Sequence, residues 1–318
     1  MNYRVLVTAP YFQPVAHRFV QTFARYGIET ILPHVEERLS AEQLLPLVAD
    51  IDGAICGDDA YTDEVLACAP RLRVISKWGT GIDAIDRAEC ERRGIVVCNT
   101  PNAFSEPVAD TTLGYILSFV RQLPQLSADV KAGCWKKQLA LSLRECTVGL
   151  IGVGNIGRAV ARRLVPFGPR VLGCDPITPP ESFLQACKVE MMELHSLLSE
   201  SDIVSVHCDL NPTSDHLLDA VALERMRPSA IVINTARGRV MEERALVRAL
   251  QAGRLAGAAL DVFEDEPLPA SSPLRTMANV LLAPHNANSS PRAWEAVHRQ
   301  TVENLVRHLC RQAAQAVR

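Results

Sequence analysis

The segment from residue 146 to residue 175 constrains the fold of this chain more than any other part. A short apolar run ends in Gly-Val-Gly-Asn-Ile-Gly, a helix-forming stretch follows, and a second apolar run ends on Asp175. Gly152, Gly154 and Gly157 therefore have the G-x-G-x-x-G spacing between a predicted strand and a predicted helix. Glycine at these positions permits a tight turn, a close approach of the backbone to a pyrophosphate, and close packing of the helix on the sheet. The segment predicts a dinucleotide-binding βαβ unit.

The acid that ends the second strand indicates which dinucleotide binds. Asp175 follows Gly157 by 18 residues. A carboxylate at this place accepts hydrogen bonds from the ribose hydroxyls and repels a 2′-phosphate. We therefore expect NAD rather than NADP as the cofactor.

Composition limits the classes of protein to which the chain can belong. With 318 residues, of which 48% are hydrophobic and 22% charged, it has the profile of a globular protein long enough for two domains. A net charge of −3 favours neither nucleic acid nor an anionic membrane as a partner. No apolar stretch approaches the ~20 residues that span a bilayer, and the N-terminus lacks a signal-peptide pattern. We expect a cytoplasmic protein. Ten scattered cysteines without a C-x-x-C pair predict free thiols rather than disulfides or a bound metal.

Short apolar runs alternate with amphipathic stretches along the chain, which is the pattern of βαβ units in a parallel sheet. Helices are predicted at His17–Tyr26 and Thr62–Cys68. The first hundred residues are thus able to form a small open α/β sheet of their own. The strands predicted there are Arg4–Thr8, Glu29–Leu32, Gly53–Cys56, Leu72–Ser76 and Ile95–Asn99.

The second part of the chain predicts a larger sheet. A long helix from Ser105 to Leu123 precedes it, and the absence of a clean polar face indicates that this helix is buried on more than one side. A last helix, from about Pro291 to Val317, is expected to return to the first domain. The six predicted strands of the larger sheet are Thr147–Ile151, Arg170–Cys174, Ile203–His207, Ile231–Asn234, Gly257–Val262 and Val280–Ala283.

Three polar clusters follow apolar strands of this second sheet. They are Asn234–Arg239, Asp261–Pro267 and Ala283–Asn286. Open α/β sheets bind ligands at the carboxyl ends of their strands, and these ends share one edge of a parallel sheet. We therefore expect an arginine, several carboxylates and a histidine to meet at that edge.

These residue types suit the oxidation of 2-hydroxy acids or the reduction of 2-oxo acids. Arg237 can hold a carboxylate in a bidentate pair and polarise the adjacent carbonyl. His285 can take the hydroxyl proton as the hydride leaves, and Glu266, bonded to the other ring nitrogen, would orient the imidazole. Singly, each has a structural alternative: a surface arginine, a solvated acidic loop and a half-buried structural histidine. Their joint position after strand ends favours the catalytic interpretation.

The chain resembles the D-isomer-specific 2-hydroxyacid dehydrogenase family, with a layout similar to phosphoglycerate dehydrogenase. The resemblance implies an NAD-dependent oxidoreductase that transfers a hydride between the nicotinamide and C2 of a small-molecule D-2-hydroxy acid or 2-oxo acid. It also implies a homodimer, formed through the helix Ser105–Leu123 and the stretch Ala132–Trp135. The matching motifs, in the family's order, are Lys77–Asp83, Pro107–Asp110, Gly152–Gly157 with Asp175, Asn234–Gly238, Asp261–Pro267 and Pro284-His285.

The resemblance implies a role for each matched residue. Arg237, Glu266 and His285 are implied as the catalytic three, with Arg237 also binding the substrate. The loop from Gly79 through Thr80 to Gly81 is implied to meet the substrate carboxylate with its backbone amides. The implied cofactor-binding residues are Thr80, Gly152, Gly154, Asn155, Ile156, Gly157, Asp175, His207, Cys208, Thr235, Ala236, Arg237, Asp261 and His285, with Asp261 on the nicotinamide carboxamide.

The family architecture implies two Rossmann-like α/β lobes. One is an NAD-binding domain with a doubly wound parallel sheet, expected at residues 100–288. The other is a smaller flavodoxin-like substrate lobe, which is discontinuous and expected at residues 1–99 completed by residues 289–318.

One departure from the phosphoglycerate dehydrogenase layout follows the third strand. Relatives that act on 3-phosphoglycerate carry basic residues there, whereas this chain has Asp58 and Asp59. Two acids would repel a phosphate, and the structural alternative is that Asp59 or Thr62 caps the next helix. Phosphoglycerate is therefore less favoured as the substrate. Two other functions stay open: a formate- or phosphonate-type dehydrogenase on the same scaffold, and an NAD(H)-responsive co-regulator without turnover.

Overall fold

The computed structural model describes residues 2–315, with side chains described as far as residue 310. The chain divides into two compact units, of which the first comprises Met1–Phe104 with Ser290–Arg318 and the second Ser105–Ser289. The first unit thus continues past the expected boundary at residue 99. Backbone and ring contacts account for this, since Thr100 N donates to Gly79 O at 2.9 Å and the Phe104 ring centroid lies 5.7 Å from that of Trp78.

The first unit contains a parallel sheet of five strands in the spatial order β2-β1-β3-β4-β5. This is the flavodoxin-like strand order, and it confirms the predicted fold of the smaller lobe. The first, third and fourth strands in chain order are almost fully buried, the other two are partly exposed, and the sequence pattern located all five to within two residues. They are β1 Tyr3–Val7, β2 Ile28–Ile31, β3 Gly53–Cys56, β4 Val74–Lys77 and β5 Val96–Cys98.

The helices of the first unit are short. The predicted helix His17–Tyr26 is a 3-10 helix at Gln13–Phe19 that continues as an α-helix, and Thr62 caps the helix after β3, its Oγ1 accepting from Val65 N at 3.5 Å. Thr62, and not Asp59, is therefore the helix N-cap. The α-helices are α1 Val20–Arg25, α2 Ala41–Leu44, α3 Asp63–Ala67 and α4 Arg87–Arg92.

A long C-terminal helix, Pro291–Gln315, completes the first unit. It packs on the first sheet beside β4, where Ser76 Oγ donates to Thr301 O at 2.8 Å and Trp78 Nε1 donates to His298 Nδ1 at 2.9 Å. The predicted end at Val317 lies outside the described residues.

The second unit contains a parallel sheet in the spatial order β12-β11-β10-β9-β6-β7-β8. Strand order reverses between β6 and β9, as in a doubly wound dinucleotide-binding sheet. The prediction of six strands was wrong by one, because Val-Glu-Met at the sheet edge is too short and too polar to stand out as a strand. The seven are β6 Thr147–Ile151, β7 Arg170–Cys174, β8 Val189–Met191, β9 Ile203–Val206, β10 Ile231–Asn234, β11 Gly257–Leu260 and β12 Val280–Leu282.

Helices cover both faces of this sheet. The predicted helix Ser105–Leu123 ends at Val120, because Gln122 adopts a left-handed conformation with φ 53° and a separate helix begins at Leu123. Within residues 2–315, no helix is both long enough and apolar enough to cross a membrane. The α-helices are α5 Ser105–Val120, α6 Leu123–Lys131, α7 Asn155–Leu164, α8 Glu181–Cys187, α9 Leu194–Glu200, α10 Ala220–Arg225 and α11 Glu243–Gln251.

Asp59 is a structural acid of the first unit. Its carboxylate is fully buried and accepts three hydrogen bonds. The donors are Thr8 Oγ1 at 2.6 Å, Leu39 N at 2.7 Å and Gly57 N at 2.9 Å. Asp59 thus joins the segment after β1, the segment before α2 and the turn after β3.

Replacing Asp59 with alanine is expected to lower the free energy of unfolding by about 3 kcal/mol, because three buried donors lose their acceptor. Urea unfolding followed by tryptophan fluorescence measures this, since Trp78 and Trp294 both lie in the first unit. The matched control is Glu64→Ala, which removes an exposed acid from α3 of the same unit. A loss for Asp59→Ala no greater than that of the control would contradict the assignment.

Candidate active site

The glycine loop after β6 has the geometry that its spacing predicts. Gly152 has φ +91°, and a Cβ there would lie 2.6 Å from Cys208 N. A Cβ on Gly157 would overlap the Gly152 carbonyl, so the helix approaches the strand at a distance that only glycine allows. At Gly154, by contrast, no described residue other than its chain neighbours comes within 4 Å of the Cβ position. The backbone at Gly154 is therefore open to a ligand.

Asp175 stands beside this loop at the end of β7. Its Oδ2 accepts from Val153 N at 2.7 Å, and its Oδ1 accepts from Ile177 N at 2.7 Å. These two bonds fix the carboxylate, and each oxygen retains a second lone pair that can accept from a ribose hydroxyl.

The start of α7 supplies the remaining part of a dinucleotide site. Gly154 is the N-cap residue, so Asn155 and Ile156 are the first two helical residues. Backbone N–H groups in the first turn of a helix have no partner within the helix, and they favour an anion at that end. The open glycine, the helix terminus and the fixed acid together fit the pyrophosphate and ribose of NAD.

His207 and Cys208 follow β9, which pairs with β6. Their backbone packs against Gly152, and His207 Nε2 lies 2.9 Å from Ser205 Oγ. Burial lowers the pKa of His207 to about 3 and raises the pKa of the Cys208 thiol to about 11. Both side chains are therefore uncharged at neutral pH, and the visible role of this segment is to support the glycine loop.

The segment that carries Arg237 is braced by a residue to which the sequence prediction gave no role of its own. Asn234, fully buried at the end of β10, accepts at Oδ1 from Ala236 N at 3.0 Å and donates from Nδ2 to Arg237 O at 2.9 Å. Thr235 Oγ1 lies 3.3 Å from Thr112 Oγ1 on α5. An asparagine that ends a buried apolar strand was the available signal, because a buried amide requires hydrogen-bond partners.

The loop after β11 packs directly on the Arg237 segment. A Cβ on Gly238 would overlap the Phe263 carbonyl group, so glycine is required where the two loops meet. Phe263 N donates to Glu266 Oε1 at 3.0 Å. The position of Glu266 is thereby tied to the loop that carries Arg237.

Glu266 and His285 form a pair. His285 Nδ1 lies 3.0 Å from Glu266 Oε2, with 23% of the histidine side chain and 16% of the glutamate side chain exposed. His285 adopts a left-handed backbone conformation, φ +50°, which is uncommon for a residue other than glycine. The pairing that the sequence predicted between an acid and the ring is present in the structure.

Asp261 holds the loop that carries His285. Its carboxylate is 1% exposed and accepts from Asn286 N at 2.9 Å and Ala287 N at 2.8 Å, while its carbonyl accepts from His285 N at 2.7 Å. Burial raises the pKa of this carboxyl, and the two backbone hydrogen bonds oppose that rise. The carboxylate therefore braces the His285 loop, while its implied contact with the nicotinamide stays a prediction.

The three polar clusters lie side by side because their strands are neighbours. Asp261 N donates to Asn234 O at 3.0 Å, and Ala283 N donates to Leu260 O at 2.9 Å. The ends of β10, β11 and β12 thus leave the sheet together, on the same edge as the glycine loop.

The loop Gly79–Gly81 belongs to the first unit and follows β4. Gly79 has φ +130°. Thr80 is tied to the end of β5, since its Oγ1 donates to Thr100 O at 3.2 Å and its carbonyl accepts from Asn99 Nδ2 at 2.6 Å. The loop is therefore held at the carboxyl edge of the first sheet.

Comparison with known proteins identifies the family. Residues 113–287 match the model of the D-isomer specific 2-hydroxyacid dehydrogenase, NAD binding domain. A glyoxylate reductase from Korarchaeum cryptofilum is 38% identical over 294 residues, 88% of this chain and 88% of that protein. A D-3-phosphoglycerate dehydrogenase from Methanocaldococcus jannaschii is 35% identical over 283 residues, 88% of this chain and 54% of that protein. The crystal structure of D-lactate dehydrogenase from Aquifex aeolicus, complexed with NAD and lactic acid, has a TM-score of 0.83 at 27% identity and covers 94% of this chain and 93% of its own.

The chain belongs to the D-isomer-specific 2-hydroxyacid dehydrogenase family. It is an oxidoreductase of the class that acts on CH–OH groups, and its second unit contains an NAD-binding domain. The family, the enzyme class and the cofactor that the motifs indicated are confirmed.

Burial of His207 predicts a loss of stability in acid. The unfolded residue titrates near pH 6.5 and the folded one near pH 3, so the unfolded state binds more protons between these values. The free energy of unfolding should fall as the pH drops below 6.5, with a contribution from His207 of about 2 kcal/mol at pH 5. Urea unfolding at pH 7 and pH 5 measures it.

His207→Gln should remove this part of the pH dependence. The control is His195→Gln, which replaces an exposed histidine on α9 of the same unit. If both variants lose stability between pH 7 and pH 5 as steeply as the unmodified protein, His207 is not the buried neutral base described above.

Proposed function

We propose that this enzyme interconverts a D-2-hydroxy acid and the corresponding 2-oxo acid with NAD, using Arg237 and His285 as catalytic residues and Glu266 to position His285. The observation that carries the proposal is the pair of His285 Nδ1 and Glu266 Oε2, 3.0 Å apart at the strand-end edge that also carries Arg237. In this proposal the second unit is the NAD-binding domain and the first unit is the discontinuous substrate-binding lobe.

Arg237 binds the carboxylate of the substrate and polarises the adjacent oxygen. A guanidinium offers two parallel N–H donors, which match a carboxylate or the two oxygens of a 2-oxo acid. The braces from Asn234 and the packing at Gly238 hold the Arg237 backbone before substrate binds. Such preorganisation lowers the cost of ordering the site.

His285 moves the proton. With Nδ1 directed at Glu266, the ring nitrogen that exchanges a proton with the substrate oxygen is Nε2. In the oxidation it removes the hydroxyl proton, and in the reduction it donates a proton to the carbonyl oxygen. The Glu266 carboxylate stabilises the imidazolium form, which is the proton donor. Bound NAD supplies the hydride acceptor for C2.

The proposal also assigns a substrate-binding loop to the first unit. Backbone amides of the loop Gly79–Gly81 meet the substrate carboxylate, and the bonds between Thr80 and residues 99 and 100 keep the loop in place. The relatives named glyoxylate reductase favour a small 2-oxo acid as the substrate. The relative named D-3-phosphoglycerate dehydrogenase supports the same reaction type on a phosphorylated acid.

The variant His285→Gln is expected to lower kcat/KM for glyoxylate about a thousandfold, because proton transfer loses its donor. NADH oxidation followed at 340 nm measures turnover. Quenching of tryptophan fluorescence on titration with NADH measures cofactor affinity, which should change little. Unchanged turnover would contradict the assignment of His285 as the acid–base residue.

A second carboxylate–imidazole pair provides the matched control for this test. His216 Nε2 lies 3.0 Å from Glu264 Oε1, and His216→Gln should leave turnover near that of the unmodified enzyme. If the unmodified protein binds NADH but reduces no 2-oxo acid, the co-regulator alternative replaces this proposal. Formate-dependent NAD reduction without turnover of 2-oxo acids would favour the formate-type alternative.

We infer that the enzyme works as a homodimer formed through α6 and the segment that follows it. That segment exposes large apolar side chains, with Trp135 90% and Leu139 97% exposed. Its backbone is nevertheless held in place, since Gln122 Nε2 donates to Leu139 O at 2.9 Å and Arg121 Nη1 donates to Leu141 O at 2.9 Å. An ordered segment that keeps apolar side chains in water is typical of a surface that a partner covers.

The double variant Trp135→Ser/Leu139→Ser is expected to be monomeric, because the association loses its apolar anchors. Light scattering after size-exclusion chromatography should give twice the mass of one chain for the unmodified protein and the mass of one chain for the variant. Val221→Ser on α10 also removes an exposed apolar side chain and should leave the dimer intact. A monomeric unmodified protein at micromolar concentration would rule out this interface.

A further inference from the structure

A buried lysine lies next to the loop Gly79–Gly81. Lys77 ends β4, its side chain is 5% exposed, and its Nζ would lie 3.6 Å from a Cβ placed on Gly79. Nζ is 3.0 Å from Asp58 Oδ1 and donates to Trp78 O at 3.3 Å. The cation therefore lies beside the loop to which the proposed function assigns substrate binding, with an acid as its partner.

The two adjacent acids after β3 have different partners and different exposure. Asp59 points into the interior, where it accepts from Thr8, Leu39 and Gly57, and it does not face a ligand. Asp58 pairs with Lys77 and has 33% of its side chain exposed. The expectation that both acids repel a phosphate is thus corrected, since only Asp58 of the two is placed to do so.

Asp58 lies on the solvent side of the pair. Residues Cys56 and Lys77 are partners in the parallel register of β3 and β4, so the segments that carry both charged groups leave the sheet at the same edge. The exposures of 33% and 5% put the acid outside and the cation inside. An anionic group that approaches this edge from solvent meets the carboxylate before it meets the ammonium group.

A cluster of aromatic rings lies beside this edge. Tyr11 follows β1, and its ring centroid lies 5.6 Å from Trp78 and 5.1 Å from Trp294 on the C-terminal helix. Phe104 Cε2 would lie 3.8 Å from a Cβ on Gly79, on the same residue that Lys77 Nζ approaches. The rings themselves carry no charge, so they provide no ion-pair partner for an anionic substituent.

We propose that Asp58 is a specificity-determining residue, which neutralises Lys77 and so restricts the enzyme to 2-oxo acids whose side chains carry no negative charge. This inference rests on the proposed function and names the substrate class of the same site. Without the Asp58 charge, Lys77 Nζ loses its ion-pair partner beside the substrate loop, and it attracts a phosphate or a second carboxylate. Charge pairs at this range have a large effect where water is partly excluded.

Hydroxypyruvate and 3-phosphohydroxypyruvate form a matched pair of substrates, since they differ only in the phosphate. The unmodified enzyme should have the higher kcat/KM with hydroxypyruvate. In Asp58→Asn, the ratio of kcat/KM for the phosphorylated to the unphosphorylated substrate should rise about tenfold or more. NADH oxidation at 340 nm measures both. A preference of the unmodified enzyme for the phosphorylated substrate, or an unchanged ratio in the variant, overturns the proposal.

Two further variants test the role of the lysine. In the double variant Asp58→Asn/Lys77→Met, the ratio should not show the rise expected for Asp58→Asn, because the cation that attracts the phosphate is absent. Lys77→Met alone should move the ratio below that of the unmodified enzyme, since the Asp58 charge then lacks the neighbouring Lys77 cation, and this variant decides the matter if Asp58→Asn does not fold. Asp63→Asn is the control, because it removes an exposed acid that lies 3.6 Å from Arg93 in the same unit and should leave the ratio unchanged.

A binding measurement separates this inference from the proposed reaction. Inorganic phosphate should raise the thermal midpoint of Asp58→Asn and should not raise that of the unmodified protein or of the double variant. If phosphate stabilises Asp58→Asn but no 2-oxo acid is reduced by any of the proteins, the anion selectivity stands and the proposed reaction fails. If reduction occurs but phosphate has no selective effect and the ratio does not move, the reaction stands and the role of Asp58 fails.

Discussion

The parallel hydrogen bonding of β10, β11 and β12 is the constraint on which the site of the second unit depends. Strands that run in the same direction end at the same edge, so residues far apart in the chain leave the sheet as neighbours. Two backbone bonds, from Asp261 N to Asn234 O and from Ala283 N to Leu260 O, continue the ladder to the points where the polar clusters begin. The frame is rigid at the points where the three catalytic candidates follow their strands. Each of them, Arg237, Glu266 and His285, lies within six residues of the end of its strand.

Carboxylates complete that frame by accepting hydrogen bonds from backbone amides where the sheet ends. Asp175 accepts from two amides beside the glycine loop, and Asp261 accepts from two amides of the His285 loop. Asp59 does the same in the first unit and also accepts from a threonine hydroxyl. A buried backbone amide at the end of a sheet lowers the stability of the folded state if it has no hydrogen-bond acceptor. One carboxylate can accept from two such amides. Within the polar clusters, Asp261 thus maintains the geometry of the His285 loop, and Glu266 is the acid paired with His285.

The sequence pattern predicted most of the fold because local signals determine it. Strands such as Gly53–Cys56 and Ile231–Asn234 are continuous apolar runs between turn residues, and the structure has them at those positions. The strand Val189–Met191 was not predicted, because three residues are too few to show the alternation or apolar run that indicates a strand. The helix from Ser105 was predicted to be three residues too long. Its end depends on the left-handed conformation of Gln122, and the sequence does not indicate this because glutamine is also a good helix former.

The sequence by itself determined the fold class, the dinucleotide loop and the family, because glycine spacing, apolar period and strand-end clusters are local features that recur in a fixed order. Only the tertiary structure decided what each acid does. Asp58 and Asp59 are chemically identical neighbours, and nothing in their sequence separates them. Asp59 turned inward because donors from residues 8 and 39 meet it in the folded unit, and Asp58 pairs with Lys77 because β3 and β4 are adjacent. The partner of a side chain depends on which elements become neighbours, and that follows from packing of the whole sheet.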